Sequence, residues 1–441
     1  MGNEIVKKLL RKFSDGHKPC IDSREAQNGD IFFALQGENV NGNRFAAKAL
    51  ENGCHLAVVD DQNVATGKNF LLVDDVLDTL QQVSMAYRQT LTIPFIGITG
   101  SNGKTTTKEL MHAVFASKYR TFATSGNLNN HIGVPISLLS IDKSHEIAII
   151  EMGANHKQEI AALSKLADPT HGLITNIGKA HLEGFGTLED VAKAKFELFD
   201  HVIQTRGQLF INLDDPRISQ YADQPAMVSY GSNDTAHCQG EIIQASPRLQ
   251  VRFRVNQDFG QATAGMEAII RTRLTGGYNL ENVLAAVTTG LFFGITPQQA
   301  KTAIEAYHPQ NHRSQLLQTA NNLVVMDAYN ANPSSMAAAL DNFSNLKDRP
   351  KAVMLGDMLE LGQDARYEHQ EVLKKLQSLP IEHIILVGDH FMEVAENSPN
   401  TKVFPDVRKA GEHLAANPLT GYQILVKGSR GIEMEKLLRW L

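Results

Sequence analysis

The sequence predicts an α/β protein of three domains, and three observations lead there. The chain has 441 residues, more than one hydrophobic core usually serves. Short apolar runs alternate with stretches of helical period, as in parallel sheets covered by helices. Breaks in that alternation near residues 90 and 312 divide it, giving expected domains 1–88, 89–312 and 313–441.

The first domain reads as a small α/β unit. Apolar runs at 31–35, 56–59 and 70–73 are separated by turns rich in Gly, Asn and Asp. Residues 46–51 and 76–90 have helical patterns. In the central domain, apolar runs at 95–99, 147–151, 172–177 and 208–213 alternate with helices and predict a mostly parallel sheet. Residues 241–245, 249–255 and 268–274 alternate apolar with polar instead. They predict an antiparallel, half-exposed extension. A helix is expected over 278–293. The last domain shows four clean apolar runs, at 323–326, 352–355, 384–387 and 424–426. Each ends in a polar or glycine loop, so a Rossmann-like, doubly wound sheet is expected, with ligands beyond the strands' carboxyl ends.

Composition narrows the function classes. Net charge is −6, with 42% hydrophobic and 20% charged residues, so neither nucleic acid nor an anionic membrane is the expected partner. No run of 18 apolar residues offers a membrane span. The N-terminus, Met1-Gly-Asn-Glu-Ile-Val-Lys-Lys8, lacks the apolar core of a signal peptide. Val6 stands where a myristoylation site would carry Ser or Thr. Cys20, Cys54 and Cys238 are too scattered for a disulfide framework or a metal cluster. A cytoplasmic monomer is the expectation.

The most informative segment is Gly97-Ile-Thr-Gly-Ser-Asn-Gly-Lys-Thr-Thr-Thr107. An apolar strand runs into a glycine loop, then Lys104, then a helix carrying Leu110, Met111, Val114 and Phe115 at helical spacing. This makes the central sheet P-loop-type. Gly100 and Gly103 let the backbone turn its N–H groups around phosphate oxygens, and the helix N-terminus adds partial positive charge. Gly100, Ser101, Asn102, Gly103, Lys104, Thr105 and Thr106 are therefore candidate ATP contacts. Lys104 reaches the outer phosphates and Thr105 offers a hydroxyl to magnesium. The loop is shorter than G-x-x-x-x-G-K-[ST], because the glycine preceding Gly103 lies three residues upstream.

Other constellations are weaker alone. Glu151 ends an apolar strand, where a carboxylate suits a phosphate-bound magnesium or merely faces solvent. His181 follows a predicted strand, and Lys195 sits on a helix among other cations. Asn279 suits a helix N-cap. Asn282, one turn on, offers an amide that both donates and accepts, as an adenine edge requires. Lys427-Gly-Ser-Arg430 suits a carboxylate or phosphate.

Taken in order, these residues resemble the Mur ligase family. The markers are Asp22-Ser-Arg24 with Gly29-Asp-Ile-Phe-Phe-Ala34, Thr99-Gly-Ser-Asn-Gly-Lys-Thr-Thr106, Asn127-Leu-Asn-Asn130 with Gly133-Val-Pro135, and Glu151-Met-Gly153. Ala180-His-Leu-Glu-Gly184, Asn279 with Asn282, and Asp327-Ala-Tyr-Asn-Ala-Asn-Pro333 follow. Gly356-Asp-Met-Leu-Glu-Leu-Gly362 and Lys427-Gly-Ser-Arg430 close the series. The last three resemble the branch whose substrates are UDP-N-acetylmuramoyl-tripeptide and D-alanyl-D-alanine. Asp214-Asp-Pro-Arg217 looks like a marker of another branch but lies in the wrong domain. Tyr278 departs from the family, where histidine often precedes the asparagine.

The resemblance implies ATP-dependent amide-bond formation through an acyl phosphate, with two magnesium ions. By resemblance, Lys104, His181 and Lys195 are catalytic. Thr105 and Glu151 hold one metal; His181 and a carbamylated Lys195 hold the second. Ser23 and Arg24 take the UDP end of the large substrate, with Asn129 and Asn130 at its sugar or peptide. Asn279, Asn282, Arg313, Asp327, Tyr329 and Asn330 approach the nucleotide, Arg313 at its phosphates or, alternatively, as a hinge contact, and Asp327 at the ribose or, alternatively, only in an Asx-type turn. Ser429 and Arg430 take the dipeptide carboxylate. Two alternatives stay open: another amino substrate within the family, or a nucleotide-gated switch that forms no bond.

Overall fold

The computed structural model describes residues 2–38, 40–259, 263–310, 313–346 and 349–441. The boundary expected at residue 312 falls outside the described residues. Three sheets carry the chain. The first has four parallel strands in the order Pro19–Cys20, Ile31–Phe33, Leu56–Val59, Phe70–Leu72. The helix Val76–Arg88 covers it, capped by Asp75, which accepts the N–H of Asp78 at 2.7 Å. The helix Gly2–Ser14 packs beside it, burying Leu9 and Phe13 with Leu80, Val83 and Tyr87.

The second sheet has nine strands. Phe95–Thr99 lies between Ile147–Glu151 and His171–Ile174, all parallel. Thr121–Ala123 closes that edge. On the other side Gln208–Asn212, Met227–Gly231 and Cys238–Gln244 continue in parallel. Gln250–Val255 and Glu267–Arg271 then add the expected antiparallel extension. The strand expected over 172–177 begins one residue earlier and ends at Ile174. Leaving the strand there frees Asn176 to face the glycine loop. The helix expected over 278–293 is Leu280–Phe292, preceded by a 3-10 turn.

The third sheet has six strands, two more than the sequence pattern announces. Leu323–Asp327, Gln423–Lys427, Lys351–Gly356 and His383–Val387 form its parallel centre. Gln315–Gln318 joins one edge antiparallel, and Thr401–Phe404 joins the other in parallel.

The units are tied together. Tyr87 donates to the Ile141 carbonyl at 2.7 Å and Arg88 to that of Ala167 at 2.8 Å. Ile136 and Leu139, on the helix Gly133–Ser140, complete the core of the first unit. The second and third sheets point the carboxyl ends of their central strands at one another, and the space between them is the site.

Candidate active site

The glycine loop owes its shape to two positions only glycine fits. Gly100 has φ +143° and Gly103 φ +78°, in the region side chains avoid. A Cβ at Gly100 would overlap the Thr175 hydroxyl, and one at Gly103 would overlap the Asn282 amide. Asn176 braces the loop, accepting the N–H of Ser101 on its carbonyl and that of Asn102 on its side chain, both at 3.0 Å. Those two amides are thus already engaged. The amides left to meet an anion are those from Gly103 to Thr106, in the first turn of the helix Lys104–Ala116, where no carbonyl lies one turn back within the helix. The Ser101 hydroxyl is likewise held by Gly178, at 2.9 Å.

Lys104 folds back onto its loop, donating to the Gly100 carbonyl at 2.7 Å. Burial pushes its pKa below the ordinary 10.5. Thr105 donates to Oε1 of Glu151 at 3.1 Å, and Asn129 donates to the same oxygen at 2.8 Å. Oε2 of Glu151 is buried without a hydrogen bond, although the Lys108 ammonium lies 3.3 Å away. An under-satisfied buried carboxylate beside a threonine hydroxyl fits a hard cation. Among the described residues no cluster of three His, Cys, Asp or Glu side chains forms a metal cage, so phosphate oxygens and water would complete any shell.

His181 has φ +51°. Its Nδ1 lies 2.5 Å from Oε2 of Glu360, but off the line a hydrogen bond requires. The His181 ring, and beyond it the Lys104 ammonium, hold the Glu360 carboxyl below its ordinary value of 4.5. Lys195 lies behind the cavity wall, 1% exposed. Among the described residues its Nζ meets the Ala154 carbonyl at 3.5 Å and the Phe185 ring at 5.3 Å. Burial first, and Lys104 second, lower its pKa from 10.5 to about 7.

Asn279 and Asn282 line the cavity but spend their amides internally. Asn282 accepts from Thr107 at 3.0 Å and donates to Asn279 at 2.8 Å. Asn279 donates to the Thr275 carbonyl and makes no side-chain cap. The pair ties the phosphate helix to the helix Leu280–Phe292. From the third sheet, Asp327 accepts the Ser314 N–H at 3.1 Å and pairs with buried Lys427 at 2.7 Å. That is a junction clamp rather than a local Asx turn. The Arg313 guanidinium stacks 3.6 Å over the Tyr329 ring, with its Nε buried and without a hydrogen-bond partner among the described residues. Arg430 approaches the Tyr329 hydroxyl at 3.4 Å. Asn330 bonds the Ala331 N–H, and Ser429 donates to the Ala331 carbonyl while accepting from Leu359 N–H.

One cavity of about 970 Å³ takes in the glycine loop, Glu151, His181, Asn129, Asn130, Asn279, Asn282, Arg313, Asp327, Tyr329, Asn330, Ser429 and Arg430. Lys195, Ser23 and Arg24 lie outside its lining. Arg24 is exposed and bonded to Asp22, which holds the Asp22 carboxyl down to about 2. Sequence reasoning gave no role to Asn176, Glu360 or Asn332. Asn332 donates to Asn102 at 2.9 Å across the two sheets. Asn176 carried a signal, a polar side chain just beyond a strand end, as did Asn332 in the loop before a helix.

A glycine-loop α/β core, closed by a Rossmann-like sheet and joined to a smaller parallel sheet, defines a three-domain phosphate-loop protein. The model of the Mur ligase family catalytic domain matches residues 17–88, that of the Mur ligase middle domain 98–290, and that of the Mur ligase glutamate ligase domain 312–430. UDP-N-acetylmuramoyl-tripeptide--D-alanyl-D-alanine ligase of Bacillus subtilis is 32% identical over 435 residues, 96% of this chain and 92% of the relative. The ligase of the same name from Escherichia coli is 31% identical over 442 residues, 95% and 92%. A crystal structure of MurF from Acinetobacter baumannii superposes with TM-score 0.85 at 30% identity, covering 98% of this chain and 97% of that one. MurF ligase from Thermotoga maritima in complex with ADP shares the fold, with TM-score 0.83 at 24% identity over 97% of each chain. The chain belongs to the Mur ligase family.

Proposed function

We propose that the chain is an ATP-dependent ligase joining D-alanyl-D-alanine to UDP-N-acetylmuramoyl-tripeptide in peptidoglycan precursor synthesis. We place it in the cytoplasm, as a monomer; among the described residues no helix is long and apolar enough to cross a membrane. One observation carries the reading. The glycine loop, the Glu151–Thr105 pair and the loops ending the third sheet converge on a single cavity.

Forming an amide from a carboxylate in water is uphill without activation. A carboxylate oxygen of the tripeptide attacks the γ-phosphorus of ATP, and ADP leaves. The dipeptide amine then attacks the acyl carbon, loses a proton, and phosphate leaves. Several anions meet in the first step, so catalysis rests on positioning and charge cancellation. Lys104 and the first-turn amides hold the outer phosphates. Thr105 and Glu151 would hold one magnesium and His181, with carbamylated Lys195, a second; the chemistry supplied is neutralisation of the transferring group. Buried Lys195, with its pKa near 7, offers the neutral amine that combines with carbon dioxide. Asp327, Tyr329, Asn330 and Arg313 face the nucleoside side, with Asn279 and Asn282 beneath. Asn129 and Asn130 face the sugar or peptide, and Ser23 and Arg24 the UDP end. Ser429 and Arg430 serve the dipeptide carboxylate, Ser429 by fixing the loop. Closure of the cavity keeps water from the acyl phosphate.

The test is phosphate release with the substrates added singly and together, with mass spectrometry of the product. Release that requires both the UDP-tripeptide and the dipeptide, with a UDP-pentapeptide product, is expected. ATP hydrolysis indifferent to both would leave a nucleotide switch, and a product with another amine would leave a different ligase of the family.

A further inference from the structure

Glu360 takes no part in the scheme above, yet it lines the cavity. It projects from the loop that follows the strand Lys351–Gly356, and its backbone is in the left-handed region, φ +63°. A non-glycine residue held there must be fixed by its surroundings. They are visible here. Its carbonyl accepts the Glu183 N–H at 3.2 Å, and Asp357, two residues past the strand's last leucine, is buried and accepts the N–H groups of His390 and Phe391. The loop is therefore a rigid mount for one carboxylate. That carboxylate is half exposed. Oε2 faces His181, while Oε1 has no protein partner among the described residues.

The neighbouring loop carries Arg430. Strands Lys351–Gly356 and Gln423–Lys427 are paired, Leu355 opposite Lys427, so the two loops leave the sheet about 5 Å apart. They are also bonded to each other. The Leu359 N–H donates to the Ser429 hydroxyl at 2.9 Å, and the Ser429 N–H donates to the Asp357 carbonyl at 3.0 Å. Glu360 follows Leu359 and Arg430 follows Ser429. An anion and a cation thus stand on two adjoining loops that both line the cavity. An extended dipeptide spans at most about 7 Å, and at neutral pH it carries an ammonium at one end and a carboxylate at the other.

We propose that Glu360 and Arg430 form a two-ended clamp for the zwitterionic amino substrate, with Glu360 receiving its ammonium and Arg430 its carboxylate. The inference rests on the ligase reading and names a subsite within it. Glu360 also explains placement. The ammonium end comes to lie on the His181 side of the cavity, where the acyl phosphate to be attacked belongs, and the carboxylate end points away toward Arg430.

The test compares three nucleophiles in the full enzyme: D-alanyl-D-alanine, D-alanyl-D-alaninamide, which lacks the carboxylate, and hydroxylamine, which is neutral at pH 7.5 and traps the acyl phosphate as a hydroxamate. Glu360→Gln keeps the side chain's size and removes its charge. It should raise KM about tenfold or more for the dipeptide and for its amide, as loss of a charged hydrogen bond does, and leave KM for hydroxylamine unmoved. Arg430→Gln should raise KM for the dipeptide alone. The clamp is overturned if Glu360→Gln lowers kcat equally for all three nucleophiles with every KM unchanged, because Glu360 then serves only to orient His181. It is overturned equally if Arg430→Gln affects acid and amide alike. Absence of any UDP-pentapeptide from the unmodified enzyme with ATP, UDP-tripeptide and D-alanyl-D-alanine would refute the ligase reading itself.

Discussion

Lys195→Met should stabilise the protein while abolishing its activity. The Lys195 ammonium is buried with one carbonyl 3.5 Å away, so the folded state disfavours its charged form. Its pKa falls from 10.5 to about 7. Between those values the unfolded chain binds more protons than the folded one, so stability rises with pH across that window. The sign is clear: the penalty is absent above pH 10.5, grows as pH falls, and is complete below pH 7. With 1.36 kcal/mol per unit, it amounts to about 5 kcal/mol at pH 6, about 3 at pH 8 and about 1 at pH 10. Methionine has no charge to desolvate and nearly fills the space, leaving a void that costs roughly 1 kcal/mol. The variant should therefore be the more stable protein at pH 6, and the gap should close by pH 10. Urea denaturation of both proteins from pH 6 to 10, in buffers free of carbon dioxide, reads this directly. Adding bicarbonate should narrow the gap by converting the parent's amine to a carbamate. A gap that does not change with pH, or a parent more stable than the variant at pH 6, would refute the reasoning.

Three further outcomes follow from the same geometry. Lys104→Ala should abolish ATP-dependent phosphate release yet leave binding of the UDP substrate, measured by calorimetry, largely intact, since Ser23 and Arg24 lie outside the cavity Lys104 lines. Gly103→Ala forces a side chain into φ +78° against Asn282; strain and the lost Thr107–Asn282 bond should cost about 2–3 kcal/mol by thermal unfolding, with nucleotide affinity falling as well. Lys427→Met strands Asp327 in the junction and should destabilise by about 3 kcal/mol. The double change Lys427→Met with Asp327→Leu should recover part of that loss in a double-mutant cycle.

What the sequence made legible has a common physical basis. The glycine loop is contiguous, and its constraints are local ones, two positive φ angles between a buried strand and a helix. Glu151 was readable because a carboxylate ending a run of four apolar residues has few structural excuses. Helix Gly2–Ser14 is missing from the sequence expectations although Leu9 and Phe13 share one helical face, because Lys7, Lys8, Arg11 and Lys12 leave the segment few apolar positions. Edge strands Gln315–Gln318 and Thr401–Phe404 are four residues each with no fully buried side chain, too short for a period to show. Asn282 is the subtler case. Its amide suits a base edge by hydrogen-bonding capacity, which a sequence reveals. Its bonds to Thr107 and Asn279 depend on how two helices pack, which a sequence does not reveal. The pairing of His181 with Glu360 is of the same kind.

The contacts between the second and third sheets explain why this chemistry needs two domains. Asn332 reaches Asn102 of the glycine loop. The Lys179 N–H donates to Ser334 at 2.9 Å, and its ammonium pairs with Glu368 at 2.7 Å. Glu360 meets His181. Each bond joins the segment after a strand of one sheet to a loop or helix of the other. Apolar contact joins them as well, since Leu182, next to His181, is buried in the core of the third sheet. The hydrogen bonds are worth about 1 kcal/mol apiece, so the junction rests on both kinds of contact. The phosphate cradle is held within one domain by Asn176 and Asn282. The third sheet brings Glu360, Arg313 and Arg430 to the same cavity. The charges around the phosphates therefore come from both domains, and a cavity completed by both is the arrangement that would shield an acyl phosphate from water.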